Sequence, residues 1–277
     1  MTMTNKPYKA VLTGATGGIG RAIALQLAPQ CSSLILMGRD TQKLEALKNE
    51  LTSTAATAAN IQIVSGDLCD DSTSARLMDA ISAQQGINLL INNAGISQFK
   101  SFEQQSDKDI TQLMLTNLIS PMLLCKQLLP LLKKESSQII NIGSIFGYLG
   151  FPGFSSYCAS KFGLRGFSQS LRRELSDSSI SVRYFAPRAT KTSINSDQVM
   201  QMNAELKTDA DTPDSVAQEF MKFLSSNAWE KKLGFKESFF VFMNHLFPNI
   251  PDKAIIGHFT TISGRGLQSF AQRFLGA

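Results

Sequence analysis

The feature of this sequence that most constrains its fold is the alternation of short apolar runs with segments of helical periodicity. Predicted strands occupy residues 8–12, 33–37, 61–64, 87–91, 138–142, 180–185 and 231–235. Predicted helices lie between them at residues 21–27, 41–51, 72–83, 107–134 and 157–175, and another begins at 212–214. Strands that alternate with helices build a parallel sheet with right-handed crossovers. The pattern therefore predicts an α/β fold.

Polar residues follow several of the predicted strands. Gly66-Asp67-Leu68 follows the third strand, Asn92-Asn93-Ala94-Gly95 the fourth, and Ser144 the fifth. Open α/β sheets bind their ligands beyond the carboxyl ends of the strands. We therefore expect these residues to meet in one ligand site.

The turn after the first strand is rich in glycine and reads Thr13-Gly14-Ala15-Thr16-Gly17-Gly18-Ile19-Gly20. A strand, a glycine-rich turn and a helix in this order place a pyrophosphate on the amides of a helix N-terminus. Glycine allows the backbone to approach the phosphates closely. The spacing is Gly-x-x-x-Gly-x-Gly rather than the common Gly-x-Gly-x-x-Gly, and an ordinary turn is the alternative interpretation.

The end of the second strand bears on the choice of dinucleotide. An acidic residue at this position binds the ribose hydroxyls of NAD, but here the strand ends at Gly38-Arg39. A guanidinium suits a 2′-phosphate, so Arg39 predicts NADP, with NAD as the less favoured cofactor. Asp40 weakens this argument unless it caps the helix that follows.

Three reactive side chains, Ser144, Tyr157 and Lys161, lie within one short stretch. Tyr157 and Lys161 are four residues apart and share one face of a helix. An ammonium beside a phenol favours the phenolate, which predicts a lowered pKa for Tyr157 and a role in proton transfer. The alternative is a chance Tyr-x-x-x-Lys pair on a structural helix.

Length, composition and charge exclude several classes of function. The chain has 277 residues and a net charge of +5, but its Lys and Arg residues are dispersed, so we expect no nucleic-acid partner. Its four cysteines have no metal-ligand spacing, and no metal site is predicted. No signal-peptide core and no apolar run of about 18 residues is evident in the sequence. Reduced thiols and a cytoplasmic location are the expectation.

Two features leave alternatives open at this stage. Asn117 lies inside the long predicted helix, and its sequence context alone favours a solvent-facing or capping role. The segment between Ser144 and Tyr157 carries Phe146, Tyr148, Leu149, Phe151 and Phe154. These aromatic and aliphatic side chains are either core plugs or the wall of an apolar pocket.

These motifs resemble the short-chain dehydrogenase/reductase family in order and spacing over about residues 8–193. The resemblance implies a Rossmann-like, doubly wound parallel sheet of about seven strands with helices on both faces. It also implies hydride transfer between a nicotinamide and a carbonyl or alcohol. The catalytic residues it implies are Asn117, Ser144, Tyr157 and Lys161. The cofactor-binding residues it implies, with Arg39, are Gly14, Thr16, Gly17, Gly18, Ile19, Gly20, Asp67, Leu68, Asn93, Ala94, Gly95, Tyr157, Lys161, Pro187, Thr190 and Thr192.

Each catalytic residue has a role in that resemblance. Tyr157 is the general acid, and Ser144 holds the substrate oxygen. Lys161 lowers the pKa of the tyrosine and binds the nicotinamide ribose, while Asn117 supports a water that relays protons. One departure is Pro187-Arg188, where the family usually has Pro-Gly. Arg188 therefore contacts either an anionic substrate tail or solvent.

The other departure is a long C-terminal extension. We divide the chain into a catalytic and dinucleotide-binding domain, residues 1–226, and an extension, residues 227–277, with a last strand and amphipathic helices packed on that domain. One apolar stripe at helical spacing consists of Phe239, Phe242, Met243, Leu246 and Phe247, and another of Ile255, Phe259 and Ile262. Either the stripes pack against the sheet domain or a second subunit, or they cover a substrate entrance and contact a membrane surface.

The sequence therefore predicts an NADP-dependent oxidoreductase for a lipophilic ketone or acyl-type substrate. A homodimer or homotetramer is the expected assembly. The alternatives are a nucleotide-sensing binding protein and a membrane-associated scaffold on the same fold.

Overall fold

In the computed structural model, which describes residues 7–53, 58–134, 136–192, 194, 199, 210–247 and 249, seven strands form one sheet. The strands are β1 (Tyr8–Thr13), β2 (Cys31–Gly38), β3 (Asn60–Ser65), β4 (Leu89–Asn92), β5 (Ser137–Ile142), β6 (Ile180–Ala186) and β7 (Glu230–Lys232). Their order is β3-β2-β1-β4-β5-β6-β7, and every neighbouring pair is parallel. The predicted doubly wound parallel sheet is confirmed.

Helices cover both faces of this sheet. They are α1 (Gly18–Leu27), α2 (Thr41–Ser53), α3 (Asp71–Ala83), α4 (Asp107–Met114), α5 (Ser120–Leu132), α6 (Ser155–Glu174), α7 (Pro213–Leu224) and α8 (Phe235–Leu246). Helices α1, α2 and α7 pack in one apolar cluster, and α3, α5 and α6 pack in the cluster on the opposite face. The central strands are buried on both faces, which explains why they read as continuous apolar runs.

The helix predicted at residues 107–134 is interrupted. A π-turn at Leu115–Ile119 separates α4 from α5, and Pro121 lies in the first turn of α5. Pro121 has no N–H and cannot make the α-helical hydrogen bond to the carbonyl of Asn117. The extra residue of a π-turn changes the direction in which its side chains point, and Asn117 is fully buried.

The segment Asp107–Leu132 is long and apolar enough, by length and composition, to cross a membrane. No apolar run of membrane-spanning length was predicted from the sequence. The segment leads from β4 to β5, which pair in parallel, and Leu124, Cys125 and Leu128 pack on the sheet. It is therefore a crossover helix of the core.

The described part of the predicted extension joins the same sheet. β7 pairs with β6. It begins one residue before the predicted strand at 231–235 and is shorter than that strand. Val241 of α8 packs against Tyr148 and Tyr184. Ile255, Phe259 and Ile262, the predicted second stripe, lie outside the described residues.

Candidate active site

A cavity of about 970 Å³ lies at the carboxyl ends of the strands. Ser144, Tyr157 and Lys161 line it, together with every residue that was predicted to bind the cofactor. Asn117 is buried behind the wall. The fold thus brings together residues that are up to 178 positions apart, from Gly14 to Thr192.

The glycine-rich turn forms a shallow floor because side chains would not fit. Gly14 has φ of +64°, and a Cβ on it would lie 2.7 Å from the Cα of Ala94. A Cβ on Gly20 would lie 2.2 Å from the carbonyl oxygen of Gly14, and one on Gly18 would lie 2.5 Å from Cγ2 of Thr192. These positions require glycine, and the backbone amides at the start of α1 are left accessible to a ligand.

Thr13 and Asn93 brace this floor against the end of β4. The Thr13 hydroxyl accepts hydrogen bonds from the backbone amides of Asn93 and Ala94, both at 3.0 Å. Asn93 Nδ2 donates to the carbonyls of Thr13 and Gly14, also at 3.0 Å. The side chain of Asn93 therefore holds the two strand ends together, while its residue lines the cavity.

Two cations lie at the far end of the cavity from Tyr157. Arg39 and Lys43 both line it, beside Gly38 and Thr16. Asp40 Oδ1 accepts a hydrogen bond from the Lys43 amide at 3.0 Å, which lowers the pKa of Asp40. The interpretation of Asp40 as a helix cap is confirmed. Lys43 was not among the predicted cofactor-binding residues. The sequence signal that could have found it is its position in the first turn of α2, the helix that follows β2.

Ser144 and Tyr157 meet at the other end. Ser144 follows β5, and its hydroxyl accepts a hydrogen bond from the Phe146 amide at 3.1 Å. Tyr157 lies in the first turn of α6 and shares a side-chain hydrogen bond with Ser144. Two hydroxyls are thereby placed where they can contact one substrate oxygen.

Lys161 and Asn117 lie behind this pair. Lys161 Nζ donates to the carbonyl of Ile142 at 3.1 Å and lies 5.8 Å from the centre of the Tyr157 ring. Asn117 Oδ1 accepts from the Ile96 amide at 2.8 Å, and its Nδ2 donates to the Ile96 carbonyl and to Ser160 Oγ. The solvent-facing or capping interpretation of Asn117 was wrong, because the π-turn directs its amide into the core.

The aromatic and aliphatic side chains after Ser144 take both roles that the sequence left open, since most line the pocket and one packs in the core. Phe146, Leu149, Phe151 and Phe154 line the cavity, and the Phe146 and Phe154 rings lie 6.3 Å and 6.1 Å from the ring of Tyr157. Tyr148 is instead a core plug, packed edge-on against Tyr184 with its hydroxyl bound to Glu230. One wall of the cavity beside Tyr157 is therefore apolar.

Comparison with known proteins identifies this arrangement. The family model described as short chain dehydrogenase matches residues 8–203. Similar proteins include Nodulation protein G of Rhizobium sp. (strain N33), 37% identical over 181 residues, or 65% of this chain and 71% of that protein. The 3-oxoacyl-[acyl-carrier-protein] reductase FabG of Escherichia coli (strain K12) is 34% identical over 185 residues, or 66% of this chain and 73% of that protein.

The chain belongs to the short-chain dehydrogenase/reductase family. A short-chain dehydrogenase/reductase from Burkholderia phymatum, solved in complex with NAD, has the same fold. Its TM-score is 0.80 at 20% identity, over 90% of this chain and 96% of that one. This short-chain dehydrogenase is thus an oxidoreductase that uses a nicotinamide cofactor and acts on small molecules.

The residues of this short-chain dehydrogenase fit a dinucleotide. The glycine floor has the shape that a pyrophosphate would need, and Asp67 and Leu68 also line the cavity. Beside Gly18 of that floor, Thr192 Oγ1 is buried and has no hydrogen-bond partner among the described residues. A buried hydroxyl without a partner is costly, and it is positioned for a polar group of a ligand in the cavity. Pro187 and Thr190, which precede Thr192 in the chain, also line the cavity.

The predicted lowered pKa of Tyr157 was wrong in direction. Burial raises the pKa of Tyr157 to about 12, and the hydrogen bond with Ser144 offsets this only in part. Burial also lowers the pKa of Lys161 to about 8. Desolvation opposes both charged forms, and it is the largest cause of both shifts. In this structure the phenol is protonated at neutral pH.

This direction can be tested by titration, because burial raises the pKa of all four tyrosines, Tyr8, Tyr148, Tyr157 and Tyr184. Free tyrosine ionises near ~10, so the folded protein should give no phenolate absorbance below about that pH. The urea-unfolded protein should ionise near ~10. A raised folded-state pKa gives stability that is complete below ~10 and is lost as the pH rises further. Ionisation below about pH 9 that is missing from Tyr157→Phe would restore the original prediction.

Arg188, which departs from the family pattern, forms ion pairs. Its guanidinium donates to both oxygens of Asp211, at 2.8 Å and 3.0 Å, and to Glu237 Oε1 at 3.4 Å. Its partners among the described residues are these two carboxylates, and Arg188 also lines the cavity. Arg188 ties the segment after β6 to the segment before α7 and to α8. The predicted sites also omitted Lys236, Glu237 and Phe240 of α8, which line the cavity.

Proposed function

We propose that this short-chain dehydrogenase is an NADPH-preferring reductase for a lipophilic ketone or acyl-type carbonyl. The observation that carries the proposal is the position of the Tyr157 and Ser144 hydroxyls beside an apolar wall in one cavity. Phe146, Phe151 and Phe154 supply that wall, and Phe240 of α8 extends it. The name of the relative FabG, 3-oxoacyl-[acyl-carrier-protein] reductase, describes a carbonyl with an acyl chain, which agrees with this class of substrate.

The residues of the chain hold the carbonyl and supply a proton. Ser144 donates a hydrogen bond to the carbonyl oxygen, and Tyr157 gives its phenolic proton to that oxygen as negative charge develops. When bound, NADPH supplies the hydride. Since burial favours the protonated phenol, Tyr157 is in the state that reduction requires.

Lys161 and Asn117 support this step. Lys161, with a pKa of about 8, is mainly protonated at neutral pH and lies under the phenol ring. A positive charge there stabilises the phenolate left after proton transfer. Asn117 fixes Ile96 at the end of the β4 loop and Ser160 on α6. Its assignment to a water relay stays a prediction.

Preference for NADP is supported by Arg39 and Lys43 at the far end of the cavity. A 2′-phosphate there would have two cations beside it, and the carboxylate of Asp40 is engaged by the α2 N-terminus. Charge-assisted hydrogen bonds to a phosphate favour NADP over NAD.

A homo-oligomer is the assembly we propose. Large apolar side chains are exposed at the end of the π-turn and along α5 and α6, namely Ile119, Met122, Leu123 and Phe162. An exposed apolar patch of this kind marks a protein contact. The described cysteines are all unpaired, as expected for the cytoplasm, and that location stays a prediction.

A panel of ketones and β-ketoacyl thioesters, followed by NADPH absorbance, tests the activity. We expect turnover, with KM falling as the apolar chain lengthens, since burial contributes ~0.8 kcal/mol per CH₂. Phe240→Ala should raise KM several-fold for long chains and leave short ketones unchanged. Phe102→Ala, an exposed phenylalanine that does not line the cavity, is the control.

The same panel separates the two alternatives. NADPH binding without turnover of any substrate would favour a nucleotide-sensing binding protein. Turnover that is independent of chain length would contradict the lipophilic class alone. A membrane-associated scaffold would bind lipid without either nucleotide binding or turnover.

A further inference from the structure

Helix α8 carries a row of exposed apolar side chains, here called the α8 stripe. It consists of Phe235, Phe239, Phe242 and Leu246, which are 89%, 55%, 58% and 53% exposed. Their spacing of four, three and four residues places them within roughly 60° of the helix circumference. Val241 is the one residue of α8 that is buried. Exposed aromatic side chains in such a row mark a contact surface.

The opposite face of α8 is fixed to the enzyme. Glu237 pairs with Arg188 at 3.4 Å, and Val241 packs in the apolar cluster with Tyr148 and Tyr184. Glu237 and Phe240 also line the cavity, and Lys236 reaches it from the flank of the helix. The helix is therefore held with one face toward the active site and the α8 stripe directed away from it.

The charges of α8 are divided between its two faces in the same way. Lys236 and His245 are exposed on the two flanks of the α8 stripe. Glu237, the single acidic residue in α8, is turned inward to Arg188. An apolar face with an exposed lysine on one flank and no exposed carboxylate on α8 suits a helix that lies in the interface of an anionic bilayer.

We propose that the α8 stripe is a peripheral contact with the surface of an anionic lipid bilayer. The phenylalanine rings would enter the boundary between headgroups and acyl chains, with Lys236 at the level of the headgroups. Attraction of Lys236 to the negative surface adds to the burial of apolar area. The helix axis lies in the plane of the membrane, and the chain does not cross it.

A second copy of this chain fits the α8 stripe less well. A helix of twelve residues is about 18 Å long. Pairing two such stripes would bury roughly 200–300 Å² on each partner, whereas stable interfaces bury about 800 Å² on each. A bilayer needs no complementary protein surface, and it accepts a single amphipathic helix.

The position of α8 gives this contact a consequence for the reaction. Because one face of α8 lines the cavity and the other contacts lipid, an apolar substrate would reach the cavity from the bilayer with little exposure to water. This consequence rests on the proposed function, whereas the lipid contact itself does not.

Vesicle flotation with the full chain tests the contact, in the absence of nucleotide and substrate. We expect the protein to float with vesicles of phosphatidylcholine and phosphatidylglycerol, and to float at least tenfold less with phosphatidylcholine alone. The double variant Phe239→Ser, Phe242→Ser should reduce flotation at least tenfold. Phe102→Ser, in a phenylalanine that is 62% exposed away from α8, should leave it unchanged.

Three results would overturn the proposal. The first is no flotation of the wild-type protein on anionic vesicles, and the second is equal flotation of the double variant. The third is a double variant that floats like wild type but differs from it in oligomeric state or has a lower melting temperature. A changed oligomeric state would mean that a second copy covers the α8 stripe, and a lower melting temperature that the same chain covers it. Turnover of a short ketone, measured separately in detergent-free buffer, reports on the proposed function alone.

Discussion

Tyr157→Phe is expected to lower the rate of carbonyl reduction by ~10² to 10⁴, the usual contribution of a positioned general acid. The substitution removes the phenolic hydroxyl that shares a hydrogen bond with Ser144. It keeps the ring, which packs against Phe146 and Phe154. The cavity therefore retains its shape, and NADPH affinity should be nearly unchanged.

Single-turnover measurement with NADPH bound beforehand isolates the chemical step, and fluorescence titration gives the affinity. Tyr148→Phe is the matched control, because its hydroxyl is also buried and hydrogen-bonded, at 2.9 Å to Glu230, but lies outside the cavity. The control should retain the wild-type rate. A Tyr157→Phe rate close to that of wild type would exclude Tyr157 as the acid.

Gly38→Asp with Arg39→Ile is expected to reverse a preference for NADP into one for NAD. A hydrogen bond to a charged group contributes ~1.5–3 kcal/mol, so wild type should prefer NADP by roughly ten- to a hundredfold. An aspartate at position 38 would bind the ribose hydroxyls and repel the phosphate. Its Cβ would lie 3.3 Å from Thr16 Oγ1 and 3.5 Å from Leu44 Cδ2, so a small side-chain shift is sufficient.

The separate contributions of the two cations can be resolved by titration of NADP and NAD. Arg39→Ile should remove more of the preference than Lys43→Met, because Lys43 also pairs with Asp40 at 3.5 Å. Lys48→Met, on α2 but outside the cavity, is the control. All preferences should weaken at high salt. Equal affinity of wild type for both cofactors would contradict the assignment and make Asp40 the ribose ligand.

The fold follows from local sequence to an unusual degree. The apolar runs, the segments of helical periodicity and the glycine-rich turn each consist of contiguous residues. Strands and helices that alternate in this way form a parallel sheet. The sequence spacing of Tyr157 and Lys161 likewise places them on one helix face. Backbone conformation and face are short-range properties, so these features needed no knowledge of tertiary contacts.

The structure was needed wherever burial or distant contacts decided the outcome. The pKa of Tyr157 is set by desolvation, which depends on Phe146, Phe154 and the surrounding chain rather than on its neighbour four residues away. Asn117 is buried because a π-turn, not a regular helix, precedes Pro121.

Tertiary structure also decided which residues of the C-terminal region belong to the site. Phe239 and Phe240 are adjacent phenylalanines of one helix, yet Phe240 lines the cavity and Phe239 does not. The apolar period identifies the helix, but the angle at which α8 packs is fixed by Arg188, Glu237 and Val241. The sequence by itself determined the sheet, the glycine-rich turn and the helix that carries Tyr157 and Lys161, because each is encoded locally. Only tertiary packing, which joins residues far apart in the chain, decided charge states, burial and the far wall of the cavity.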